Sequence, residues 1–107
     1  MGSQHVFEDR RREDGSRTYT AAYLNTDGCL VIETHDLGPV VERAFGASEY
    51  EAFETFDRKQ TARLREDLGE DLIAAIGERF PTSSLGLTEY AASIGVGRGN
   101  IWNRIGD

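Results

Sequence analysis

"RTYTAAYLNTDGCLVIETHDL", residues 17–37, decides the fold. Two runs rich in β-branched and aromatic residues flank Asn25-Thr26-Asp27-Gly28. Asp-Gly supplies the positive backbone angles that a tight hairpin needs. Strand side chains alternate, so Leu30, Ile32 and Thr34 share one face, and Cys29, Val31, Glu33 and His35 the other.

Downstream, "DLGPVVERAFG" (36–46) reads as a short helix. Pro39 suits its first turn, where a missing N–H costs nothing, and Gly46 suits its exit. "SEYEAFETFD" (48–57) carries two signals. Ser48 and Glu51 form a capping-box pattern, while the aromatics and Thr55 favour a strand. "DRKQ" (57–60) offers the next helix its own capping box, so residues 49–56 are read as a strand ending before Asp57. The following helix runs to Leu68 and closes at Gly69. "EDLIAAIGERF" (70–80) is another, with Leu72, Ile73, Ile76 and Phe80 at amphipathic spacing. Pro81 stops it, "TSSLGL" (82–87) reads as a loop, and Thr88 caps a last helix through Ile94. The expectation is an α+β fold of order ββαβααα. Its hairpin and third strand form an antiparallel sheet with helices packed on one face. Residues 1–17, with "EDRRREDGSR", read as a flexible polar arm, and 18–107 as one domain.

The segment "LVIETHDLGPVVERAFGASEYEAFETF" (30–56) resembles a family of small, acidic, uncharacterised bacterial proteins. Their pattern is a hairpin strand, an hDLGPxVExxFG helix and a YEYxxTV strand, continuing through DLxxxLxERF to a short helix and an aromatic-rich end. "DLIAAIGERF" and "IWNRIGD" fit the later places. The resemblance would cover residues 18–107. It implies the fold, the strand at 50–56 and an ending packed by Trp102, and it implies no activity.

The chain has 107 residues, 38% hydrophobic and 29% charged, with a net charge of −7. One cysteine excludes an internal disulfide framework. The opening residues hold no apolar stretch of signal-peptide type, and the apolar runs fall short of a membrane span. A cytoplasmic protein without a membrane partner is expected. The charge imbalance lies in residues 21–57, where eight acids face Arg43 alone. A one-signed surface steers association with an opposite one. Asp27, Glu33, Asp36, Glu49, Glu51 and Glu54 are therefore the candidate face for a protein partner with a basic surface.

Catalytic chemistry finds little support. Cys29 and His35 share a strand face, but six residues of strand separate them by about 20 Å. Glu33, His35 and Asp36 are too few and too scattered for a convincing metal site. "GVGRG" has phosphate-loop glycine spacing without a βαβ unit around it. No nucleophile elbow is present. The sequence points to no enzyme, no metal and no cofactor.

"TEYAASIGVGRGNIWNRIGD" (88–107) carries the rival reading. With Leu87 first, Ala91 falls fifth, Ile94 eighth, Gly95 ninth, Val96 tenth and Ile101 fifteenth. This spacing is similar to a phage-repressor-type helix-turn-helix over residues 87–105. Arg98, Asn100, Asn103 and Arg104 would then read DNA. Arg104 in the usually apolar eighteenth place, Gly97 and Gly99 in the reading helix, and the acidic remainder of the chain weigh against it. The leading expectation is a non-catalytic binding protein of immunity, antitoxin or mobile-element-inhibitor type. A DNA-binding regulator is the alternative. The sequence sets no oligomeric state.

Overall fold

The computed structural model describes residues 3–106 and shows an α+β fold, a five-stranded antiparallel sheet with four helices. The strands are β1 (Gln4–Arg11), β2 (Arg17–Leu24), β3 (Leu30–Leu37), β4 (Glu49–Thr55) and β5 (Asn100–Gly106). They lie side by side in chain order. The helices are α1 (Pro39–Phe45), α2 (Arg58–Leu68), α3 (Leu72–Arg79) and α4 (Ser84–Ser93).

The hairpin forms around Asp27-Gly28, with Arg17 paired to Leu37 and Leu24 to Leu30, but of the two turn residues only Gly28 takes the expected positive φ, at 79°. Residues 49–55 are a strand, as expected. Alternation across the registers sorts the side chains. Ala22, Ile32, Glu54 and Ile101 lie in one row on one face, and Ala21, Glu33, Phe53 and Trp102 in one row on the other. The first face meets the helices. Its Ala22, Leu30 and Ile32, with Phe56, form one core with Leu64 of α2, Leu72, Ile73 and Ile76 of α3, and Leu87 and Ala91 of α4. Thr61 fixes α2 to this core. Its hydroxyl accepts from Leu30 N–H at 3.0 Å and donates to the Phe56 carbonyl at 3.1 Å. The capping box at Asp57 and Gln60 is present, and α2 ends at Gly69.

α1 begins at Pro39 and ends on a left-handed Gly46. Gly38 before it has φ 96°, and a Cβ there would stand 2.8 Å from Ser16 Cα, so only glycine fits the approach.

Several expectations are corrected. The expected arm holds a fold element: residues 4–11 are β1, paired with β2. The register slips between Val6 and Glu8, and Phe7 at that irregularity is buried in the core. His5 bonds the Pro81 carbonyl at 2.9 Å. The sheet thus has five strands rather than three. α4 starts five residues earlier than expected, with Ser83 rather than Thr88 as N-cap, and Thr88 lies inside it.

The helix-turn-helix is half built. α4 buries Leu87 and Ala91, and Gly95 takes the left-handed turn at φ 83°. The second helix is absent, because residues 100–106 are β5. Gly97 (φ 75°) and Gly99 interrupt helical propagation, and Ile101, Asn103 and Ile105 alternate with Trp102 and Arg104 at the period of a strand. Asp107, the end of the expected domain, lies outside the described residues.

Candidate functional site

The side of the sheet turned away from α2–α4 is the first candidate. The registers set Val6, Ala21, Glu33, Phe53 and Trp102 in one row across all five strands. Asp9, Tyr19, His35, Glu51 and Arg104 form the next. Phe53 and Trp102 are cross-strand neighbours with ring centroids 5.7 Å apart. Trp102 is 53% exposed, so it packs no core end. Beside this pair runs a charged ladder. His35 Nε2 bonds Glu49 at 2.7 Å, and Arg104 donates to Glu51 at 2.6 Å and to Glu49 at 3.4 Å. At the far strand, Arg17 binds Asp9 through two hydrogen bonds and lies over the Tyr19 ring. At the β5 edge of this face, an aromatic pair thus stands beside a charged row.

The six acids do not form one surface. Asp27 is exposed in the hairpin turn. Glu33, Glu49 and Glu51 stand on the open face, and Asp36 and Glu54 on the helix face. Glu54 is buried. It accepts from Arg98 Nε at 2.9 Å, Arg98 Nη2 at 3.0 Å and Gly99 N–H at 2.8 Å. Gly99 permits that approach, since a Cβ would meet the Thr55 carbonyl oxygen at 2.6 Å. Asp36 Oδ1 is buried without a hydrogen-bond partner, and burial raises its carboxyl above the usual range.

The residues of the rival reading are accounted for inside the same chain. Arg98 holds Glu54 and Arg104 holds Glu51 and Glu49. Asn100 and Asn103 sit on β5 opposite Thr55 and Ala52, on opposite faces of the sheet. No family model, no curated protein and no solved structure matches this chain.

On the helix side a cleft of about 280 Å³ opens between α4 and the strands β3–β5, lined by Thr34, Tyr50, Glu54, Thr88, Arg98 and Ile101 among others. Its carboxylate is committed to Arg98 and Gly99. Cys29 is buried just before β3, and His35 is engaged with Glu49, so no thiol–imidazole pair forms between them. Among the described residues, no three His, Cys, Asp or Glu side chains converge to hold a metal ion, and no helix is long and apolar enough to cross a membrane.

Sequence reasoning missed Phe53 and Trp102. The signal was available on β4, where Glu49, Glu51 and Phe53 alternate with Tyr50, Ala52 and Glu54. That alternation places Phe53 away from the core as soon as Phe56 is assigned inward.

Proposed function

We propose that the protein is a non-catalytic binding protein that holds a protein partner against the open face of its sheet, as an immunity protein, antitoxin or mobile-element inhibitor would. The observation that carries this reading is the exposed Trp102 ring packed beside a half-buried Phe53, with charges next to the pair. Interfaces concentrate their energy in a few aromatic anchors inside a polar rim, and Trp is enriched among those anchors. Glu33, Glu49 and Glu51 share the face with the pair, and the net charge of −7 favours a basic partner. Asp36 and Glu54 drop out of the contact set because they face the helices. A DNA-reading role loses its support with the second helix and with the engagement of Arg98 and Arg104.

The test is cross-linked affinity capture from source cells, followed by kinetics on the captured partner. Trp102→Ala is expected to weaken binding by about thirtyfold, in line with a loss near 2 kcal/mol at an aromatic anchor. Glu33→Lys is expected to slow association, with the effect fading as salt rises. A partner whose affinity and association rate both variants leave unchanged, or capture of nucleic acid alone, would overturn the reading.

A further inference from the structure

The two edges of the sheet are built differently. β1 is guarded. Its register slips at Phe7 and its outer half reads Glu8-Asp9-Arg10-Arg11. Irregularity and charge deter further strand pairing. β5 has neither. It pairs with β4 from Asn100 to Gly106 without a register shift. Its one charge, Arg104, is bound to β4 acids. Three of the six large apolar residues exposed among the described residues lie on it: Ile101 at 49%, Trp102 at 53% and Ile105 at 50%. A regular, apolar, unguarded edge is a template for another strand.

The sequence of β5 also says which strand. About Asn103, the heptapeptide Asn-Ile-Trp-Asn-Arg-Ile-Gly is self-complementary. Antiparallel pairing across a twofold axis at Asn103 sets Ile101 opposite Ile105 of the second copy. It sets Trp102 opposite the second copy's Arg104, and Asn100 opposite its Gly106. The twofold repeats each pair, as an isologous contact requires. Apolar β-branched residues meet on the helix side, and a guanidinium meets an indole on the open side, both favourable cross-strand pairs. Moving the axis to Trp102 would face Ile101 with Asn103 and Ile105 with Gly99. Moving it to Arg104 would set two guanidinium groups opposite each other.

From this we infer that the protein forms a symmetric homodimer by antiparallel pairing of β5 with β5 of a second copy, giving one continuous ten-stranded sheet. The net charge of each chain opposes this at long range. Close to the edge most of it is offset, because β5 carries no acid and the three carboxylates Glu49, Glu51 and Glu54 on β4 are bound by the two guanidinium groups of Arg104 and Arg98. Added salt therefore tightens the dimer by screening the remaining repulsion. The inference does not depend on the partner proposed for the open face.

The test is analytical ultracentrifugation of the full chain from low micromolar to submillimolar concentration. The wild type is expected to show a concentration-dependent dimer. Ile101→Lys/Ile105→Lys sets like charges opposite each other in both symmetric pairs and is expected to weaken the dimer at least about tenfold. Ile101→Lys/Ile105→Glu sets an ammonium opposite a carboxylate in the same two pairs and is expected to restore it. Both sites are half-exposed, and recovery in the second variant shows that the shared first substitution leaves the fold intact. Asn103→Cys is expected to give a disulfide-linked dimer on mild oxidation, faster than Ile101→Cys, because only position 103 faces itself. A wild type that stays monomeric throughout, a dimer indifferent to Ile101→Lys/Ile105→Lys, or a charge swap that fails to restore association would each overturn the inference.

Discussion

Asp36 and Glu54 show how differently one residue type is treated by the same sheet. Both lie on the helix face, on adjacent strands. Glu54 receives three hydrogen bonds, two of them from a guanidinium. Asp36 Oδ1 receives none. Burial pushes its carboxyl up and the charge of Glu8 adds to this, while a Thr18 hydrogen bond, His35 and Arg12 act the other way. A carboxyl with a raised folded-state pKa binds its proton more tightly when folded. Its stabilising contribution is complete below the unfolded pKa of about 3.9 and is lost as pH rises through the folded value. Asp36→Asn removes the buried charge and keeps the shape. It is expected to raise stability by about 1 kcal/mol at neutral pH, the order of cost of a buried unsatisfied polar atom. The gain should shrink below about pH 4. Urea unfolding at neutral and acid pH checks this, and a destabilised variant at neutral pH would contradict it. Counting acids in the sequence finds both residues, and strand alternation finds the face of each. Neither tells which carboxylate will meet an arginine, because Arg98 approaches from 44 residues away.

At the scale of elements, legibility followed the strength of the local signal. The hairpin was written in Asp27-Gly28, α2 in its capping box, and α1 in Pro39 and Gly46. The two outer strands were not. An edge strand with one buried residue in eight leaves no hydrophobic alternation to read, and β1 buries only Phe7. Its bulge also sets Phe7 and Glu8 on the same side of the sheet, which breaks the period of two. β5 is exposed along almost its whole length, and its glycine-rich approach imitates the turn of a helical motif. The partners that decide it lie on β4, out of reach of any local pattern. Because β1 is a strand, deletion of residues 1–11 should destabilise the fold strongly. Loss of buried Phe7 alone is worth about 3 kcal/mol or more, before the pairing with β2 is counted. Denaturant unfolding of the shortened chain measures this, and an unchanged midpoint would make the segment dispensable after all.

Across the whole molecule, strands β1 to β4 meet through turns or through α1, whereas β5 returns to β4 only after α2, α3 and α4. Its pairing closes the longest loop between adjacent strands, and such contacts are late to form. Substitutions that loosen β5 should therefore speed unfolding and leave the folding rate nearly unchanged. Arg98→Gln, followed by stopped-flow at dilute concentration, is expected to show this, and a slowed folding limb would place β5 in the nucleus instead. The order has a consequence for the chain during its own synthesis. Until residues 98–106 emerge, β4 is the outer edge of an unfinished sheet, and that edge carries Glu49, Glu51 and Glu54 without their arginines. Carboxylates on a temporary edge repel the same strand of a neighbouring nascent chain. The acids that anchor the last strand thus first guard the place it will occupy.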